Sequence, residues 1–319
     1  MPRFLPSLIA ALAFGTMFPV AAGALRHVDA FHLTAIRYSL ATLAFLTLLW
    51  AVEGRSALAV PGRRRGLELW ALGSAGFAGF NLLAYLGLGS SSPQHASVFV
   101  ALMPVLTVLA TALITRTTPR PAILGFAGLA LAGAALVVSG GDPAGLVDGG
   151  LGGGDLLFLA GVSSFVVYML GARRFPDFSA LRYTALSAAG GTATILAITE
   201  ATTLAGAERA PSLADLGAVW WQLAYVVAIG AVVAVLAFNA GVRRLGAPNA
   251  SLFGNLIPVV TLAIAVVQGY RPAGLELVGI AVTLAALAGA NLAGREPNVR
   301  PVGAACAANR PTSSGKSLA

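Results

Sequence analysis

The sequence predicts an all-α polytopic membrane protein: ten transmembrane helices in two inverted five-helix repeats, with both termini on the inner side. Three observations carry that reading. Of the 319 residues, 57% are apolar and only 10% charged, whereas a soluble domain carries about 25% charged residues. Apolar runs of roughly 20 residues recur along the chain, each long enough to cross about 30 Å of hydrocarbon. One stretch is also written twice: HASVFVALMPVLT at 95–107 returns 154 residues later as NASLFGNLIPVVT at 249–261.

Taken in order, the apolar runs place spans at 4–24, 31–52, 67–89, 97–115, 121–138, 155–170, 180–204, 218–240, 251–269 and 273–293. The first run follows Met1-Pro2-Arg3 and has the look of a signal peptide, but more spans follow it, so it reads as span 1. Most connections are short; the longest are 53–66, the Gly/Asp-rich 139–154 and 205–217. The chain thus divides into a first five-helix repeat (4–138), a linker (139–154) and a second repeat (155–293). The polar 294–319 reads as a disordered cytoplasmic tail.

Charge tests the count. With the N-terminus inside, sixteen of the twenty basic residues fall on the inner side and three (Arg26, Arg209, Arg271) on the outer, while Arg37 lies within span 2. That is the positive-inside bias. It accounts for the net charge of +8 as topology signals, with no nucleic-acid partner implied. Trp50, Trp70, Trp220 and Trp221 stand near span ends, as interface anchors do.

The repeat extends past the opening stretch. AIRYS at 35–39 returns as ALRYT at 180–184, and PAILGFAGLALAGAAL at 121–136 as PAGLELVGIAVTLAAL at 272–287. Spans 2, 3–4 and 5 map in order onto 7, 8–9 and 10. Five spans is an odd number, so the second copy enters the membrane the other way up. Within the most similar copies, Pro104 and Pro258 each remove a helix hydrogen bond to the carbonyl four residues earlier, at Val100 and Gly254. A duplicated broken helix points to a transporter's binding site.

The polar residues on those helices are the candidate substrate contacts. Asn81 and Tyr85 in span 3 are four apart and share a face; Tyr85 is the repeat mate of Asn239 in span 8. Ser251, Asn255 and Pro258 share a face in span 9, and their mates are Ser97, Ala101 and Pro104. Thr16, Ser164 and Tyr168 are further candidates from spans 1 and 6. The same amides can equally serve to bond neighbouring helices, worth about 0.6 kcal/mol each. Arg37 lies about six residues into its span, roughly 9 Å along the axis. It reads either as a structural anchor or as an anion contact.

Other chemistries find no residues. There is no Walker A loop, HExxH, GxSxG or pair of intramembrane carboxylates, so no enzyme is expected. Three histidines lack metal-ligand spacing, the single Cys306 excludes an internal disulfide, and no cofactor is implied. Glu200, near the end of span 7, reads as an interfacial carboxylate in preference to a proton-coupling one. Gly73, Gly76 and Gly79 in span 3, and Ala285 with Gly289 in span 10, permit close helix packing.

The chain resembles the drug/metabolite transporter superfamily, specifically its ten-helix EamA-type branch. The resemblance rests on Phe14-Gly15-Thr16, Ala35-Ile36-Arg37-Tyr38, the two Ala-Ser…Pro-Val copies, Gly154-Asp155-Leu156-Leu157 and Arg243-Arg244-Leu245-Gly246-Ala247. It covers nearly the whole chain, residues 4 to 293. It implies a central cavity lined mainly by spans 1, 3, 4, 6, 8 and 9, and export or exchange of small metabolites, often amino acids, without ATP. Phe14 stands where the family usually has Trp, and Arg116 and Tyr270 stand near positions commonly acidic. The expected function is therefore a secondary-active carrier of a small polar metabolite in the bacterial inner membrane, as a monomer or homodimer among lipid. The competing class is a non-transporting membrane protein such as a lipid-modifying enzyme, sensor or assembly factor.

Overall fold

The computed structural model describes residues 2–60, 62–88, 102–116, 118, 121–140, 142, 144, 152–267 and 269–293. The predicted tail, most of the linker, residues 97–101 of span 4 with Ser97, and the Tyr85 side chain lie outside the described residues. The described residues form helices and no strand.

The helices are α1 (Leu5–Ala24), α2 (Ala30–Glu53), α3 (Arg63–Gly73), α4 (Phe80–Leu88), α5 (Met103–Thr115), α6 (Pro121–Val138), α7 (Gly153–Gly171), α8 (Ala180–Leu204), α9 (Leu213–Ala218), α10 (Trp220–Val227), α11 (Ala234–Leu245), α12 (Ala247–Ser251), α13 (Leu256–Val267) and α14 (Gly274–Ala293). Among the described residues, six runs are long and apolar enough to cross a membrane: Ala30–Glu53, Arg63–Ala84, Pro121–Val138, Gly153–Arg174, Trp220–Leu245 and Ala247–Val267. Three shorter apolar helices accompany them at Leu5–Ala21, Met103–Thr115 and Gly274–Ala290. Helix α8 has 25 residues, ample length, but its Thr- and Ser-rich face makes it the most polar of the predicted spans.

Polarity is arranged inside out. Leu43, Val52, Leu113, Ile114 and Val267 stand exposed, while Thr42, Asn81, Thr107, Thr184, Ser187, Asn239, Ser251, Asn255 and Thr283 are buried. In water that pattern would expose far more apolar surface than a soluble fold tolerates. In lipid the buried hydroxyls and amides bond within and between helices instead.

The helices pair in exchanged sets. α2 packs on α8 (spans 2 and 7) and α6 on α14 (spans 5 and 10). α4 packs on α7 (spans 3 and 6), and α11 on α1 (spans 8 and 1). Small residues set these approaches. A Cβ on Gly133 would stand 2.7 Å from the Gly279 carbonyl oxygen, and one on Gly279 the same distance from that of Gly133. Across α2 and α8, the Thr42 and Thr192 hydroxyls bond at 2.8 Å.

Two spans are interrupted by π-helical turns, at Ser74–Gly79 between α3 and α4 and at Ala228–Val233 between α10 and α11. Their first residues are 154 apart, the offset of the sequence repeat. Each turn carries a carbonyl that accepts a side chain from another helix: Ala75 from Ser164 Oγ at 2.7 Å, Gly230 from Arg37 Nη2 at 2.9 Å. The apolar runs at 67–89 and 218–240 predict both spans as uninterrupted. Single π turns inside α-helices gather at functional sites.

The prolines also sit differently from the mid-helix bends expected. Pro104 is in the first turn of α5, where its missing N–H costs no helix bond. Pro258 is the third residue of α13, and the discontinuity lies just ahead of it, in a 3-10 turn at Leu252–Asn255. The reason is local: proline disturbs the turn before itself.

Candidate functional site

Polar side chains collect where α2, α4, α7, α8 and α11 meet. Asn81 Nδ2 donates to the Phe77 carbonyl at 2.7 Å and to Tyr38 Oη at 3.3 Å. Asn239 Nδ2 donates to Tyr168 Oη and to Thr184 Oγ1, both at 2.7 Å. Tyr183 Oη donates to the Tyr168 carbonyl at 2.7 Å, and its ring stacks on that of Tyr168 with centroids 5.3 Å apart. Phe77 joins the two amide clusters, its centroid 5.2 Å from Tyr38 and 5.1 Å from Tyr168. The aromatic series continues through Phe165 and Phe238 to Phe14 on α1. Amphipathic rings suit this position, since each offers an apolar body and a polar tip.

Burial is nearly complete: Tyr38, Asn81, Tyr168 and Asn239 are each at most 6% exposed. Asn255, on the 3-10 turn of span 9, is 1% exposed, and neither its Nδ2 nor its Oδ1 has a hydrogen-bond partner. A buried amide left wholly unpaired costs on the order of 2 kcal/mol or more. The Asn255 turn packs chiefly against α1, α5, α6 and α14, apart from the helices of the amide network, and there it marks a group awaiting a polar ligand.

The other sequence candidates fall as follows. Thr16 Oγ1 bonds the Ala13 carbonyl of its own helix at 3.0 Å. Ser251 Oγ bonds the Pro248 carbonyl at 2.8 Å, and Ser164 serves the π turn. Glu200 is exposed on α8. Arg37 is buried, with its Cζ 4.9 Å from the Tyr38 centroid. The Tyr85 side chain lies outside the described residues; its repeat mate Asn239 is found with Tyr168 and Thr184. Sequence reasoning passed over Tyr38 and Thr184 as site residues, although both lie in the AIRYS/ALRYT copies. A hydroxyl in an otherwise apolar span was the available signal. It also passed over Glu276, buried in the first turn of α14, which accepts from Tyr270 Oη at 2.8 Å and from the Ala273 amide at 2.9 Å.

A surface cavity of about 290 Å³ lies apart from this network, at the helix ends, lined by His27, Asp29, Glu208, Arg209 and Asp215 among others. Its walls are mostly charged and polar residues of the loops and helix ends. The amide network, with its aromatic walls and interrupted helices, has the composition expected of a small-molecule site; the loop cavity does not. Among the described residues, no cluster of three His, Cys, Asp or Glu could hold a metal.

Outward apolar helices around a buried polar network define a multi-pass membrane protein. The chain belongs to the EamA-like transporter family, whose pattern matches residues 4–139 and again 152–292. It is 30% identical over 302 residues to the uncharacterized transporter YrdR of Bacillus subtilis (strain 168), covering 93% of this chain and 94% of that one. It is 28% identical over 255 residues to the uncharacterized transporter YyaM of the same organism, with coverages of 78% and 80%. A solved crystal structure superposes with a TM-score of 0.73 over 92% of this chain and 99% of the other, at 23% identity. That likeness concerns the fold.

Proposed function

We propose that this protein is a secondary-active carrier that exports or exchanges a small polar metabolite across the bacterial inner membrane. Two inverted five-helix halves, with both termini inside, alternate access to one central site. The site comprises Tyr38, Asn81, Tyr168, Asn239 and Asn255, with Pro258 and Pro104 flanking the helix starts beside it. The single observation that carries this reading is Asn255, a buried amide with free donor and free acceptor on a broken span. Half-helix ends and loosened backbone are where such carriers bind their cargo. The exchanged pairing of α4 with α7 and α11 with α1 supports a pseudo-twofold, and burial of the network fits a closed intermediate of the cycle.

Counterflow of labelled amino acids and related metabolites in proteoliposomes tests the carrier reading. Saturable exchange of at least one compound is expected. No exchange of any compound, under any imposed gradient, favours a non-transporting membrane protein. Orientation is tested separately by reporter fusions at Gly66, Gly150 and Gly294, expected inside, outside and inside; an outside signal at Gly66 would overturn it.

A further inference from the structure

Arg37 is the only arginine or lysine placed more than one turn inside a described helix, as the eighth residue of α2. It is 6% exposed. Nη2 donates to the Gly230 carbonyl, the Tyr38 ring face lies against the guanidinium, and Nε is buried without a partner. Among the described residues no carboxylate balances it. The ion pairs among the described residues are His32–Asp29, Arg64–Glu68 and Arg65–Asp177. The buried acids Asp155 and Glu276 stand in the first turns of α7 and α14, where each accepts a local backbone amide. The undescribed stretch 89–101 contains no acid either.

A buried charge needs a counter-charge, and one carbonyl with one ring face is a partial substitute. The position of Arg37 says where the missing charge belongs. Its neighbour in sequence, Tyr38, holds Asn81, and its carbonyl partner lies on the π turn that leads into the helix bearing Asn239. The cation therefore borders the amide network, and its unused Nε is a donor of the kind that grips an oxyanion edge-on.

We propose that Arg37 binds an anionic oxygen group of the transported molecule, a carboxylate or a phosphate-type oxyanion, while the amides and phenols take its neutral polar part. This inference rests on the carrier reading above and names the substrate class. The cargo is an anion or a zwitterion. A cation without such a group meets Arg37 as a like charge.

The test uses the full-length protein in proteoliposomes. Probes are the common amino acids, their carboxamides and methyl esters, and inorganic phosphate with methylphosphonate. Wild type is expected to exchange acids of at least one series, with the matched carboxamide or ester at least tenfold weaker. The carboxylate and phosphate arms identify which oxyanion is used. Arg37→Gln is expected to raise the half-saturating concentration of the acid at least tenfold and to erase the acid-over-amide preference; Arg37→Lys should keep part of that preference. A purely structural arginine would lower stability and leave the preference intact. Equal exchange of acid and amide by wild type, or an unchanged preference in Arg37→Gln, overturns the proposal while the carrier reading stands. Should Arg37→Gln fail to fold, the wild-type acid and amide comparison decides alone. Absence of exchange for every probe removes the carrier reading, and this inference with it.

Discussion

Gly73 and Gly191 meet backbone to backbone where α3 crosses α8. A Cβ on Gly73 would fall 1.8 Å from the Ser187 carbonyl oxygen, and one on Gly191 would fall 2.4 Å from the Gly73 carbonyl oxygen. Neither neighbour is a side chain that can swing away. Gly73→Ala is expected to force the helices apart and destabilise the protein by about 3 kcal/mol, the upper end of overpacking costs. Gly125→Ala on α6, where a Cβ meets open space, is the control. Thermal unfolding in detergent should show a clear drop in midpoint for the first and little change for the second.

Asn239 joins two helices at once, through Tyr168 on α7 and Thr184 on α8. Asn239→Leu removes both bonds and leaves the Tyr168 hydroxyl without its donor. Interhelical hydrogen bonds in membranes average about 0.6 kcal/mol with a ceiling near 1.7, so the Asn239/Thr184 double-mutant cycle should give a coupling of about 1 kcal/mol. The flux effect is expected to be far larger, about tenfold or more, because the same amide would contact cargo. Transport falling only in proportion to folded protein would reduce Asn239 to a structural bond.

Outside the spans, Asp177 in the α7–α8 turn is held by Arg65, which donates Nη1 to Oδ2 at 2.9 Å and Nη2 to Oδ1. Bonding to Arg65 is the chief cause that lowers the Asp177 carboxyl below its ordinary value of 3.8. A depressed carboxyl contributes stability that is fully present above the unfolded value and is lost as pH falls through the folded one. Both groups are solvent-accessible, so the contribution is small. Thermal midpoints measured from pH 7 to pH 2 should show the wild type losing, below about pH 4, an increment that Asp177→Asn lacks throughout. Parallel curves would show that the pair contributes nothing.

These particulars mark how far the sequence was legible. Span positions came from apolar runs, because a helix crossing lipid must be apolar over its whole length. Gly73, Gly76 and Gly79 were recognisable as packing residues for the same reason, and each is pressed against a neighbour: the Ser187 backbone, the Tyr168 ring and Ser164 Oγ. Candidate residues on the repeat, such as Asn81, Asn239 and Asn255, could be found as amides in apolar spans. Their partners could not, since the Asn239–Tyr168 bond joins residues 71 apart in sequence and depends on helix rotation. The π turns were invisible because one extra residue per turn leaves composition unchanged. The break ahead of Pro258 falls at the Gly254 carbonyl that proline leaves without its helix donor, while its 3-10 geometry could not be read from sequence.

That break supports the last prediction. Pro258 has no N–H to offer the Gly254 carbonyl, and the backbone around that carbonyl adopts the 3-10 turn at Leu252–Asn255 in place of a continuous helix. Pro258→Ala supplies the missing donor, so the turn can relax into α geometry and join α12 to α13. Intrinsic propensity favours that change by about 3 kcal/mol, though packing against α1 and α6 opposes part of it. Gly254 is the same distance from Pro258 as Asn255 is from Val259, so re-registering the turn must also rotate the unpaired Asn255 amide. The expected result is a higher unfolding temperature together with lower exchange, the usual exchange of stability for function when a strained element is regularised. Circular dichroism should report a small gain in helix. A variant with wild-type exchange, whatever its stability, would show that the break is a packing feature and that Asn255 needs no loosened backbone to act.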